Sequence, residues 1–251
     1  MVKPTFLCIG VQKSGTTSLI NYLNQHPDIF MHPIELHFFD AIDPDMKKYE
    51  SCFETDKLIV GEKTPAYNYL RYAMDRIHDY DPNMKLVLIL REPISRAYSQ
   101  YNMNVMMQEK TLDDVTDQQM LSDFEEDENI ELADLRKNGN YYIIRGKYDE
   151  ILAYILSKFP RKNLYIGIAE EIKADKQKYY NEIIVFLGAS RIDKINDTVD
   201  VHVREYAKPI PKILEKKLYN IYEPHNKKLY EMLGRKIQIW ENYYDLLKIS
   251  P

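Results

Sequence analysis

An apolar run, Phe6-Leu7-Cys8-Ile9-Gly10, passes directly into Val11-Gln12-Lys13-Ser14-Gly15-Thr16-Thr17-Ser18 and then into a stretch with Leu19, Ile20 and Leu23 on one side. A short, unbroken apolar run bounded by turn residues marks a strand buried on both faces, and such strands belong to parallel sheets whose crossovers are helices. The spacing predicts a strand over 6–10, a glycine turn, and a helix over 16–25 with Pro27-Asp28 beyond its end. The alternation recurs. Segments 58–61, 85–90 and 164–168 read as further strands. Helices are expected over 93–107, with Pro93 at its first position, over 148–159, closed by Pro160, and over 212–233, where Pro224 predicts an interruption or kink. The pattern defines an α/β fold with a central parallel sheet flanked by helices.

The 251 residues, 45% of them hydrophobic, suffice for one substantial core, and no linker or repeat divides them, so a single domain over 1–251 is expected. Net charge is -5, which argues against a nucleic-acid partner. Much of the acid lies between Asp113 and Asp134, a segment that reads as a solvated helical face or a mobile excursion. The two cysteines, Cys8 and Cys52, show no metal-ligand or disulfide-framework spacing, and Cys8 reads as a buried strand thiol. The strand begins too soon after Met1 to leave room for a signal peptide's apolar core, and no apolar stretch reaches membrane-spanning length. A soluble, cytoplasmic protein is the expectation.

The loop over 10–18 has the chemistry of an anion cradle. Helix-start N–H groups lack intrahelical partners, the helix dipole favours negative charge there, Gly15 permits close approach, and Lys13 adds a mobile positive charge. Ser14, Thr16, Thr17 and Ser18 bring hydroxyls. A nucleoside triphosphate loop of the Walker type sets its lysine directly after the second glycine, with a Ser or Thr next to hold magnesium. Here Thr16 takes that place and Lys13 lies upstream. The departure argues against ATP or GTP hydrolysis and suits a ligand bound without an obligatory metal. In isolation, an ordinary turn rich in small residues would read the same way.

Arg91 follows the strand over 85–90, and Ser95 and Ser99 are a helical turn apart in the helix that follows. Carboxyl ends of parallel strands share one edge, so Arg91 and Lys13 could converge on a ligand with two separated anionic groups. Arg91 alone is as well explained by an ion pair with Glu92.

These segments resemble the sulfotransferases that use 3′-phosphoadenosine-5′-phosphosulfate (PAPS), and most closely the heparan sulfate glucosaminyl 3-O- and N-sulfotransferase branch. Gln12 to Ser18 is similar to the family's 5′-phosphosulfate loop, and Leu90-Arg91-Glu92-Pro93 with Ser99 to its 3′-phosphate motif. The likeness continues through Glu35-Leu36-His37-Phe38-Phe39-Asp40, Glu62-Lys63-Thr64-Pro65-Ala66-Tyr67, Phe159-Pro160 and the tail from Glu223 to Leu229. It implies a P-loop-like three-layer sandwich, the sulfotransferase fold. It also implies that Lys13, Ser14, Gly15, Thr16, Thr17 and Ser18 hold the 5′-phosphosulfate and that Arg91 and Ser99 hold the 3′-phosphate. Arg204 resembles the arginine of a Lys-Gly-Arg loop that closes over the cofactor, although this chain reads His202-Val203-Arg204 there. The cysteine pair that the heparan enzymes carry before that loop does not occur here.

By the same resemblance Glu35 is the base that deprotonates the acceptor, His37 and Asp40 support it, and Lys13 and Lys63 stabilise the sulfuryl group and the departing phosphate. No metal is called for, and PAP is the product. Plainer readings stand beside these: a satisfied core histidine for His37, a helix-start acid for Glu35, a solvated lysine for Lys63. The acidic balance disfavours a glycosaminoglycan acceptor. The expected partner is a small-molecule or oligosaccharide acceptor: an intracellular carbohydrate, a lipid-linked glycan or a secondary metabolite. Tyr141, Tyr142 and Tyr148 are contact candidates that packing explains equally well. A P-loop small-molecule kinase and a non-catalytic glycan- or partner-binding module are the rival functions.

Overall fold

The computed structural model describes residues 2–126, 128–136, 139–196 and 208–249. Its strands are β1 (Phe6–Gly10), β2 (Ile29–Met31), β3 (Ile59–Lys63), β4 (Lys85–Leu90) and β5 (Leu164–Ile168). They form one sheet in the order β2-β3-β1-β4-β5, every neighbouring pair parallel. β1 is central and buried at every position. It pairs Phe6 with Gly61 on one side and with Lys85 on the other, and its register against β4 shifts between Cys8 and Gly10, where the chain leaves the sheet.

Along the chain the helices are α1 (Thr16–Leu23), α2 (Met46–Ser51), α3 (Arg71–Tyr80), α4 (Pro93–Met107), α5 (Asp117–Glu125), α6 (Tyr148–Lys158), α7 (Ala169–Ala174), α8 (Lys176–Leu187), α9 (Lys212–Leu233) and α10 (Gln238–Ile249). The structure divides into two compact units, Met1–Leu90 with Tyr154–Val203 and Arg91–Ala153 with Arg204–Pro251. The first contains the whole sheet. On one sheet face Phe6, Cys8, Val87 and Ile89 pack with Leu19, Ile20 and Leu23 of α1 and Ile183, Ile184 and Leu187 of α8. Each such apolar side chain contributes about 1.5–3 kcal/mol by leaving water. Leu7, Ile9, Leu86 and Leu88 point the other way and are equally buried, so both faces are covered, as an all-parallel sheet requires. The expected α/β sandwich is the observed one.

In the second unit, Pro93 occupies the first turn of α4 and the Glu92 carboxylate caps it, accepting from the N–H groups of Ile94 and Ser95. Within the acidic segment the chain forms α5, which Thr116 caps and whose Met120 and Phe124 are fully buried. α9 continues through Pro224, which corrects the expected interruption; the ring removes one backbone donor without ending the helix.

Candidate active site

The loop after β1 is held by its own backbone. Val11 N–H donates to the Ile89 carbonyl across the sheet at 2.9 Å, and Ser14 Oγ donates to the Val11 carbonyl at 2.7 Å. At Gly10 a Cβ would lie 2.2 Å from Asn68 Nδ2, the amide that donates to the carbonyls of Ile9 and Pro65. Lys13 has φ 73° and Gly15 φ 82°, so the chain turns through left-handed conformations just before α1. Gly15, the residue at the helix N-cap, has no side chain to cap α1, and a Cβ there would meet nothing within 4 Å. A helix that starts at an open glycine beside a lysine suits a phosphate or sulfate. Among the loop hydroxyls, those of Ser14 and Thr16 sit in buried residues, with Ser14 Oγ spent inside the loop, whereas Thr17 is exposed.

Thr17 leads to the second half of the site. Lys63, the last residue of β3, is 4% exposed. Its Nζ lies 2.6 Å from Glu35 Oε1 and 3.4 Å from Thr17 Oγ1. His37 Nε2 stands 3.3 Å from Glu35 Oε2, while His37 Nδ1 meets the buried Asp40 Oδ2 at 2.8 Å. An imidazole that gives Nδ1–H to Asp40 presents Nε2 as an acceptor when neutral and as a donor to Glu35 when protonated. Burial pushes the Glu35 carboxyl up, but the His37 and Lys63 hydrogen bonds and the Lys63 charge outweigh it and hold the group below its ordinary value. The core-histidine reading of His37 is corrected, because its side chain is 41% exposed and faces Glu35.

The segment 35–40 is anchored from below. His37 N–H donates to Thr64 Oγ1 at 3.3 Å, and Phe38 N–H to the Tyr67 hydroxyl at 2.9 Å. Arg76 Nη1 donates to the carbonyls of Phe39 and Ala41. Glu62, Thr64 and Tyr67 stand in the motif over 62–67, but no role is assigned to them from sequence; the signal available is the alternation that turns Glu62 and Thr64 to the side opposite Lys63. Cys8 is the buried strand thiol expected, and burial pushes its pKa up to about 12.

Arg91 and Ser99 belong to the second unit. The Arg91 carbonyl accepts from the Tyr148 hydroxyl at 2.7 Å, and Ser99 lies on the buried side of α4. Tyr142 and Tyr148 are buried, whereas Tyr141, with φ 49°, accepts the Arg136 N–H on its hydroxyl. Arg204 and His202 lie outside the described residues. Among the described residues, Asp149, Glu150 and His225 bring three possible metal-ligand atoms within 4.8 Å of one another. The geometry there is that of ion pairs, with His225 Nδ1 2.8 Å from Asp149 Oδ1 and Lys228 Nζ 3.9 Å from Asp149 Oδ2.

A glycine turn with a lysine at the carboxyl edge of a parallel sheet, with a lysine-linked carboxylate beside it, suits a group-transfer enzyme acting on an anionic donor. The family model for the sulfotransferase domain matches residues 3–206, and the chain belongs to that family. The family transfers sulfuryl groups from PAPS, and this protein is a PAPS-dependent sulfotransferase. Human heparan sulfate glucosamine 3-O-sulfotransferase 6 is 27% identical over 257 residues, which cover 92% of this chain and 72% of that protein. Human heparan sulfate glucosamine 3-O-sulfotransferase 3B1 is 27% identical over 258 residues, and the chain spans 63% of its length. A sulfotransferase from Alicyclobacillus acidocaldarius shares the fold at TM-score 0.80 and 24% identity, over 96% of this chain and all of that one.

Proposed function

We propose that this enzyme, acting as one catalytic domain over 1–251, sulfates a hydroxyl or amine of an intracellular carbohydrate, lipid-linked or secondary-metabolite acceptor, with Glu35 as the base. The observation that carries this reading is the position of Lys63 Nζ, within reach of both Glu35 Oε1 and Thr17 Oγ1. One ammonium thereby links the base to the anion loop.

The residues of the loop fit a phosphosulfate. Lys13 and the N–H groups from Gly15 to Thr17 would supply charge and donors to its 5′ end, with Ser14, Thr16 and Ser18 shaping the turn, where the Ser18 N–H already donates to the Gly15 carbonyl at 3.0 Å; Arg91 and Ser99 would take the 3′-phosphate, and Arg204, outside the described residues, would be a further nucleotide contact. PAPS, when bound, supplies the activated sulfuryl group. Glu35 accepts the proton of the attacking hydroxyl. His37 steadies the carboxylate from its second oxygen, and Asp40 fixes the imidazole. Lys63 is the counter-ion of Glu35 at rest, and an anionic group at the loop competes for it. Drawing Lys63 toward that anion strips Glu35 of a stabilising charge and makes it a stronger base. Lys13 and Lys63 then face the negative charge that builds up on the transferring group and the leaving oxygen.

An uncharged acceptor is supported by the acidic balance of the chain, whose net charge of -5 is a poor match for a polyanion. The cytoplasmic setting is supported by two unpaired cysteines, Cys8 and Cys52. No helix among the described residues is long and apolar enough to cross a membrane.

The test compares Glu35→Gln with the parent, using calorimetry with PAP and a radiolabelled-PAPS screen of chitooligosaccharides, heparan oligosaccharides and simple alcohols. PAP affinity should persist while turnover drops by about 10²–10⁴-fold. Parental turnover would remove Glu35 from the mechanism. Sulfation confined to heparan oligosaccharides would overturn the acceptor assignment.

A further inference from the structure

Glu62 is a fully buried carboxyl to which the proposed chemistry gives no task. It precedes Lys63 in β3, and the pleat turns the two side chains to opposite sides. Glu62 Oε2 accepts the Thr64 hydroxyl at 2.8 Å, and the Thr64 oxygen accepts the N–H of His37 at 3.3 Å. His37 has φ 51°, a left-handed conformation that a non-glycine residue keeps only when its surroundings impose it. The Tyr67 hydroxyl takes the next two N–H groups, those of Phe38 at 2.9 Å and Phe39 at 3.4 Å. Three consecutive amides of the segment that bears the proposed base thus end on Thr64 and Tyr67. The Tyr67 hydroxyl favours the ionised Glu62 electrostatically, while Glu62 Oε1 has no partner at bonding geometry.

We infer that Glu62 and Thr64 are positioning residues: the buried carboxyl orients the Thr64 hydroxyl, Thr64 pins the His37 backbone in its left-handed turn, and that turn sets His37 Nε2 against Glu35. The inference rests on the reading of Glu35 as the base. The amide can only donate, so with Glu62 ionised the relay runs one way, from the His37 N–H to the Thr64 oxygen and from the Thr64 hydroxyl to the carboxylate. Its strength follows the charge on Glu62. Burial pushes that carboxyl up to about 7. The groups that face it are Cys8 from β1, His37 and Asp40 from the 35–40 segment, Tyr49 from α2 and the Tyr67 hydroxyl; His37 favours the charged form and Asp40 opposes it. As Glu62 loses its proton near neutral pH, it becomes the stronger acceptor and the relay tightens.

The full chain is compared as parent, Thr64→Val, Thr64→Ser, Glu62→Gln and Glu35→Gln. Turnover is followed as PAP release from PAPS with the best acceptor of the screen above, PAP affinity by calorimetry, and exchange of the His37 amide proton by ¹⁵N NMR. Thr64→Val should lower kcat by about 10- to 100-fold through misplacement of the base, with PAP affinity kept, and Thr64→Ser should restore it. The His37 amide should exchange faster in Thr64→Val, and in Glu62→Gln its exchange should lose the inflection near neutral pH. A His37 amide as protected in Thr64→Val as in the parent overturns the relay, whatever the turnover. A parallel loss of kcat and PAP affinity that serine does not rescue makes Thr64 merely structural and overturns it too. Full turnover in Glu35→Gln, with the amide results as expected, rejects the base assignment while the relay stands.

Discussion

Lys63 Nζ lies 2.6 Å from Glu35 Oε1, so the proposed base and a proposed stabiliser of the transferring group are each other's counter-ion. Lys63 is almost fully buried, whereas the Glu35 side chain is 37% exposed. A buried ammonium without its carboxylate would be costly, which keeps the pair together until another anion competes.

Lys63→Met keeps the length of the side chain and removes its charge. Burial then acts on Glu35 against His37 alone, and its pKa rises. A base ionises above its pKa, so the acid limb of the pH–rate profile should move to higher pH. Turnover at neutral pH should drop about 10²–10³-fold with the loss of one stabilising charge. A profile with the parental acid limb and rate would separate Lys63 from Glu35.

Gly10 and Gly15 should respond differently to alanine. At Gly10, with φ 141°, the new methyl would stand 2.2 Å from Asn68 Nδ2 and 2.9 Å from the Pro65 carbonyl. Strain and overpacking together should cost about 2–4 kcal/mol of stability in urea unfolding. Gly15, with φ 82°, has open space around it, so its alanine variant should lose only about 1–2 kcal/mol from the left-handed backbone. It should still bind PAP more weakly. Equal destabilisation of the two variants would contradict the packing described for Gly10.

Stability should depend on pH through Glu62, whose pKa rises from 4.5 in the unfolded chain to about 7 in the fold. Between those values the folded protein holds a proton that the unfolded chain has released, so stability falls as pH rises from 4.5 to 7. The contribution is on the order of 3 kcal/mol. Glu35, with its pKa lowered, acts in the opposite sense at lower pH, stabilising above its unfolded value and ceasing to do so as it protonates. Urea titrations at pH 5 and pH 7.5 should show a steeper decline for the parent than for Glu62→Gln. Identical declines would place the Glu62 pKa near its unfolded value.

Lys13 and Arg91 should be separable by ligand. Each alanine variant should weaken PAP binding by about 10- to 100-fold, as expected for charge-assisted hydrogen bonds. With adenosine 5′-phosphosulfate, which lacks the 3′-phosphate, Lys13→Ala should still matter and Arg91→Ala should not. If Arg91→Ala weakens both ligands equally, the 3′-phosphate assignment is wrong.

Much of the scaffold is local in origin and therefore readable along the chain. β1, β4 and β5 are continuous apolar runs, and α4 starts on Pro93. The anion loop announces itself because glycine, lysine and hydroxyls stand between a strand and a helix. β2 has only three residues, too few for a pattern, and it exists because β3 offers it an edge.

Residue order determined the alternation of strand and helix, the loop around Lys13 and the family motifs, since each is a relation among neighbours a few positions apart. Tertiary structure decided the meeting of Glu35 with Lys63, 28 positions away, and of His37 with Thr64, 27 positions away. A carboxylate's basicity and a histidine's backbone conformation are set by groups that only folding brings within a few ångströms, and Coulomb and hydrogen-bond energies depend on that distance and not on separation along the chain.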